Sequence, residues 1–218
     1  MLNLQSKFGQ KLVVIGNWLA ALVTINLIWF LVTLPVLVML VLSFSVPLNQ
    51  TYAGSLAITV VMLAAFTVPA TTATYQAVQA WQTTDSGSFL KVTWRAYLVA
   101  LMHWQANLLV AVVAGSWITA LRLTTTNVGL HVATLVFGIV LLTLWNGWNY
   151  CQFENLSVIE LVVAHPFKLL LSAVVTIILF ALNFELRLIF FILLFSMSLS
   201  ALTTYRIFNP HLKAESTN

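Results

Sequence analysis

Apolar residues fill this chain in long unbroken runs, not in the alternation of a strand or the single stripe of a soluble helix. No Asp, Glu, Lys or Arg occurs between Leu12 and Thr84. Further runs follow, each closed by a short polar stretch. About 20 consecutive apolar residues are enough to cross a bilayer as a helix. The pattern predicts six transmembrane helices, over 17–42, 54–80, 96–121, 131–150, 167–182 and 188–207. The expected fold is all-α: one polytopic helical membrane domain over 1–218. A β-barrel would instead show alternating segments of about 10 residues.

The polar stretches set the orientation. Lys7, Lys11, Lys91, Arg95, Lys168, Arg206 and Lys213 fall on one side of this arrangement, and Arg122 and Arg187 on the other. Basic residues favour the cytoplasmic side. Both termini and the loops 82–95 and 152–166 are therefore expected inside. Lys7 and Lys11 precede an apolar run as in a signal peptide, but the run exceeds an h-region of about 7–15 residues. It reads as a retained first helix.

The most distinctive stretch closes the second span, Val68–Trp81. Pro69 lacks an amide hydrogen and disfavours helix at Val68, which predicts a kink. Ala70 and Ala73 are small enough for another helix to approach closely. Thr71, Thr72 and Thr74 are placed to return hydrogen bonds to carbonyls that Pro69 frees. Tyr75 and Trp81 suit a boundary between hydrocarbon and water. In each inner loop an acid-x-x-Ser pattern precedes apolar residues: Asp85-Ser-Gly-Ser-Phe-Leu and Glu154-Asn-Leu-Ser-Val-Ile. Each predicts a short capped helix, with Phe89, Val92, Ala96 and Val99 on one side of the first. The echo has two explanations, an internal duplication or a shared need for the same cap.

Composition narrows the class. The 218 residues are 61% hydrophobic and 6% charged, with mean hydropathy +1.00. Soluble domains carry about 25% charged residues. The scattered Lys and Arg make no basic face, so a nucleic-acid partner is not expected. Cys151, the single cysteine, permits no disulfide within the chain and reads as a small buried apolar residue.

Candidate chemistry is sparse. His103 and Asn107 are four apart and share a helix face, with Trp104 beside them, and His103 reads as interfacial. The four histidines lack the close spacing of a metal site. Glu154, Glu160 and His165 share a loop, where Glu154 is expected to cap a helix and Glu160 to face headgroups or solvent. No nucleophile elbow, zinc-protease, phosphate-loop or dinucleotide motif occurs. Neither enzyme activity nor a cofactor is expected. Asn26, Thr33, Thr67, Thr71, Thr74, Gln76, Gln79, Asn146 and Asn149 place uncharged polar groups in or near spans. They suit hydrogen bonds between helices, worth about 0.6–2 kcal/mol each, and less readily a path for a neutral solute.

Several of these residues also form a recognisable set: Asn26-Leu-Ile-Trp with Leu34-Pro35, Pro69-Ala-Thr-x-Ala-x-Tyr75, Phe89 with Trp94-Arg95-Ala96-Tyr97, and Thr204-Tyr-Arg-Ile-Phe208. In these the chain resembles the YesL-like bacterial membrane proteins, a family of unknown function. Val68 stands where that family usually has Gly, and Ala80 where it often has a basic residue. The resemblance implies a six-helix protein of the bacterial cytoplasmic membrane, associated with carbohydrate uptake, and brings no catalytic residue. The expected role is thus a non-enzymatic accessory of another membrane system such as a permease. A small transporter or channel for a neutral solute is the alternative. Pro69, Ala70, Thr71, Ala73, Tyr75, Lys91, Arg95, Asn146 and Asn149 are the candidate interaction or packing residues, and the lipid bilayer is the one partner the composition itself requires.

The charge asymmetry makes a direct prediction. Reporter fusions after Gln50, Asn127 and Glu185 should read outside, and those after Ser86, Asn155 and Asn218 inside. One reversed site in an otherwise consistent series breaks the six-span count.

Overall fold

Many uncharged polar side chains lie inside this molecule, and many large apolar ones stand exposed outside. The computed structural model describes residues 7–83, 88–154, 157–185 and 192–209, and among them every regular element is helical. Helix α1 (Lys7–Ser45) continues through Pro35. Helix α2 (Gln50–Met62), a π-helical turn (Leu63–Thr67) and α3 (Val68–Thr83) follow end to end. Then come α4 (Phe89–Met102), α5 (Trp104–Leu123), α6 (Val128–Glu154), α7 (Val158–Ala164) and α8 (Pro166–Glu185). A second π-helical turn (Ile192–Ser196) leads into α9 (Met197–Phe208).

Four stretches are long and apolar enough to cross a membrane: Ile15–Ser45, Gln50–Thr83, Trp104–Leu123 and Val128–Gln152. Helix α7 and the Pro166–Leu182 part of α8, bent by 101°, pass the same test only together, as a broken span or a re-entrant loop. The expected sixth span, 188–207, begins outside the described residues. Leu31, Val41, Ile58, Val136 and Phe137 are exposed, whereas Asn26, Asn146 and Asn149 are at most 1% exposed. A soluble protein shows the opposite distribution. This pattern is compatible with a multi-pass membrane protein.

The core joins α1, α3 and α9. Leu22, Ile25 and Trp29 of α1 pack with Ala70, Ala73 and Ala77 of α3 and Met197 and Ala201 of α9. The alanines let the backbones come close. At one end, Asn49 caps α2 by accepting the amides of Thr51 (2.9 Å) and Tyr52 (3.3 Å). There Arg122, at the end of α5, donates to the carbonyls of Ser43 (2.8 Å) and Val46 (2.9 Å). Helix C-termini leave such carbonyls unpaired. Its guanidinium also lies 4.6 Å from the centre of the Tyr52 ring.

A π turn ends just before Val68 and Pro69, the place of the expected kink, and the chain runs on as an α-helix from Val68 within the one apolar stretch Gln50–Thr83. The expected repair by threonines is corrected. Pro69 deprives the Ala65 carbonyl of its amide, and the hydroxyl of Tyr97, from α4, donates to it at 3.0 Å. A helical Thr reaches the carbonyl four residues back. Thr71 and Thr74 therefore bond Thr67 and Ala70, at 2.8 and 3.0 Å. A Thr reaching Ala65 would have to stand at position 68 or 69, three or four residues on. At the second π turn Asn26 of α1 performs the converse task. Its Oδ1 accepts the amides of both Met197 (2.8 Å) and Ser198 (2.9 Å).

The third expected span, 96–121, is not one helix. His103 (φ −81°, ψ 47°) separates α4 from α5. The Ala100 carbonyl there receives the His103 amide (3.2 Å) and Asn107 Nδ2 (3.0 Å). His103 is exposed while Asn107 is buried, so the two do not form a joint site. The short helix expected in loop 82–95 is α4. It begins after Ser88 and buries Thr93, Ala96, Tyr97 and Ala100, leaving Val99 exposed. Asp85 lies outside the described residues. Helix α7 is capped by Ser157, whose Oγ accepts the Ile159 amide (3.3 Å) while the Glu160 carboxylate accepts the Ser157 amide (3.0 Å). Glu160 thus performs the capping expected of Glu154, whose side chain lies outside the described residues.

The segments 82–95 and 152–166 share more than their first residues. In α3–α4–α5 and in α6–α7–α8, a long helix is followed by a short one ending at a histidine, His103 or His165, and the next helix starts at the following residue. The short helices differ in length, 14 residues against 7.

Asn26 offers a clean test of the second π turn. Asn26→Leu leaves the Met197 and Ser198 amides buried without their acceptor, which costs about 1–3 kcal/mol per group. A marked fall in melting temperature in detergent is expected. Melting equal to that of the parent shows that α9 does not depend on Asn26.

Candidate functional site

Helix α3 carries Thr71, Thr72 and Tyr75 on its buried surface, and each meets a polar group from another helix. Tyr75 donates to Asn146 Oδ1 of α6 at 3.0 Å and lies 3.5 Å from Thr204 Oγ1 of α9. Asn146 Nδ2 donates to Thr176 (3.2 Å) and Ser172 (3.5 Å) of α8. One turn on, Thr72 donates to Asn149 Oδ1 at 2.8 Å, and Asn149 Nδ2 donates to the Trp145 carbonyl at 2.8 Å. The indole of Trp29, from α1, donates to Thr71 Oγ1 at 3.1 Å. Five helices, α1, α3, α6, α8 and α9, are thereby tied together by uncharged groups.

The sequence forces this geometry. Thr71 and Tyr75 are one turn apart, as are Ser172 and Thr176, so each pair shares a face. Asn146 and Asn149 are three apart and lie together on the α3 side of α6. Hydroxyls, amides and one phenol can hold and orient a molecule. They include no group that ionises near neutral pH, so they supply no acid–base pair. Among the described residues no three His, Cys, Asp or Glu side chains gather as metal ligands. Cys151 is buried on α6 against Tyr150, Leu161 and Leu169.

The candidate residues named from sequence fall into two groups. Pro69, Ala70, Thr71, Ala73, Tyr75, Asn146 and Asn149 all lie in the buried middle. Lys91 and Arg95 lie elsewhere, exposed on α4. With them on one helix face stand Trp94, 49% exposed, and Leu98. Near α4, Trp81 packs edge-on between Trp18 and Phe89, with ring centroids 4.9 and 6.3 Å away, and Arg206 lies 4.4 Å over the Trp18 ring. Ser172, Thr176, Thr204 and Trp29 belong to the polar middle; Trp29 and Thr204 were named only within the motifs of the family resemblance, and Ser172 and Thr176 were not singled out from sequence. The Ser172–Thr176 spacing was the available signal.

The chain matches no protein-family model, no curated protein and no solved structure. Its class is therefore set by its own features: an all-helical chain whose long apolar helices are compatible with a multi-pass membrane protein, with an uncharged, hydrogen-bonded interior.

Proposed function

We propose that this chain is a non-enzymatic integral membrane protein that assists another membrane system by docking through the bundle end that carries α4 and α7. It crosses the bilayer six times, with both termini and this docking end in the cytoplasm, as the Lys and Arg distribution requires. The observation that carries the reading is how the polar groups are divided. Tyr75, Asn146, Asn149, Thr71 and Thr72 are all engaged with other protein groups. Lys91, Trp94, Arg95 and Leu98 stand exposed on one face of α4. Exposed basic and aromatic residues side by side are the usual material of a binding surface. The resemblance to the YesL-like proteins directs the expected partner towards a carbohydrate permease of a bacterial cytoplasmic membrane.

A specific observation favours a second reading. A groove of about 630 Å³ reaches Asn146 and Thr176, and a neutral solute would find hydroxyl and amide groups there. A small transporter or channel would use such a place.

The two readings predict opposite mutants. Lys91→Glu with Arg95→Glu should abolish co-purification with the membrane partner and leave the melting temperature unchanged, because both side chains are exposed. Asn146→Leu should lower the melting temperature by breaking its side-chain bonds to Tyr75, Thr176 and Ser172, each worth about 0.6–2 kcal/mol, and leave the partner bound. If the charge reversal keeps every partner, while parent proteoliposomes take up a neutral solute and Asn146→Leu ones do not, the transporter reading replaces the docking one.

A further inference from the structure

Two grooves cut into the bundle beside α6. The wider, about 690 Å³, lies between the first π turn with α3, the α5 helix and α6. The narrower, about 630 Å³, lies between α6 and α8 and ends at Glu185. They meet, because Thr71, Leu142, Trp145 and Ile177 line both. Leu109, Leu135 and Leu144 belong to the wall of the wider groove and are also exposed on the outer surface, so it opens sideways. Its walls are apolar apart from the threonines and indoles, and the Thr67 hydroxyl within them is buried without a hydrogen-bond partner. Among the described residues Glu185, itself exposed, is the one ionisable side chain lining either groove.

We propose that these joined grooves hold a phospholipid with an amine headgroup, its hydrocarbon tails along α6 and its ammonium group at Glu185. Size selects a tail over a protein helix. A spanning helix about 30 Å long and 10 Å wide fills about 2,400 Å³, more than three times the wider groove. A flexible tail needs only a slot. The walls also lie within the long apolar stretches of α5 and α6, where hydrocarbon surrounds them. Charge selects the headgroup. A carboxylate at the end of an apolar slot attracts an ammonium group and repels an anionic head, and it does so more strongly beside low-dielectric walls. The site stands apart from the docking face of α4 and does not depend on it.

The test exchanges purified parent protein in nanodiscs between phosphatidylethanolamine and phosphatidylglycerol, and counts retained lipid by native mass spectrometry after transfer to detergent. The parent should retain phosphatidylethanolamine over phosphatidylglycerol by about fivefold, the size of one partly exposed ion pair. Glu185→Gln should equalise the two. Leu142→Trp, which fills the region shared by both grooves, should lose the lipid. Val41→Trp, an equally bulky change on the exposed face of α1, should keep it. Should Leu142→Trp fail to fold, Ile177→Phe fills the same junction. Equal retention of both headgroups by the parent overturns the proposal, as does equal lipid loss in Leu142→Trp and Val41→Trp. So does parent protein that retains a second polypeptide and no phospholipid, since a helix then occupies the groove.

Discussion

A backbone amide or carbonyl in hydrocarbon has only protein to bond to, and this fold is organised around the places where its own helices stop supplying that partner. Pro69 removes the amide due to the Ala65 carbonyl, and Tyr97 replaces it. The second π turn is met by the Asn26 carboxamide, which accepts two successive amides. The chain breaks at His103, and Asn107 bonds the carbonyl left at Ala100. Helix α1 ends at Ser45, and Arg122 takes the carbonyls of Ser43 and Val46. In each case the repair comes from a different helix. Local irregularity is thereby converted into tertiary fixation: α4 to the π turn before α3, α1 to α9, and α5 to the end of α1.

The same constraint explains the inverted distribution of residues. Lipid-facing surface needs no polar group, so the polar side chains are drawn inward, where helices contact one another. Tyr75, Asn146, Thr72 and Asn149 join α3 to α6, while Ser172 and Thr176 extend the network to α8. A network so largely satisfied fixes the relative positions of the helices. Outside this network Lys91 and Arg95 stand exposed on α4, and two grooves flank α6.

Much of this could be read from the chain. The membrane class, the placement of most spans and the irregularity near Pro69 follow from hydropathy and from one missing amide. Asn146, Asn149 and Thr71 were identifiable as uncharged polar groups in or near spans, whereas Tyr75, expected at a boundary between hydrocarbon and water, is buried and bonded to Asn146. Their partners were not identifiable, because spacing along the chain says which residues share a face but not which faces meet. Tyr97 is the clearest case. It sits 32 residues from Ala65, on a helix that sequence reading merged with α5. The break at His103 escaped notice because no Gly or Pro marks it, and its stabilising group, Asn107, reads equally well as a polar residue on a continuous face. In loop 152–166 the acid and the Ser were recognised as a cap, but the carboxylate that closes it is Glu160, placed after the Ser instead of before it.

The central claim is that Tyr97 is buried to serve the carbonyl that Pro69 leaves without an amide. A double-mutant cycle in detergent measures this directly. Tyr97→Phe in the parent should cost about 1–3 kcal/mol, the cost of leaving a buried polar group unpaired. In a Pro69→Ala background the helix regains its own amide, and the same Tyr97→Phe change should then cost much less. Equal losses in the two backgrounds would show that the hydroxyl of Tyr97 stabilises the protein for some other reason, and the account of the bulge would be wrong.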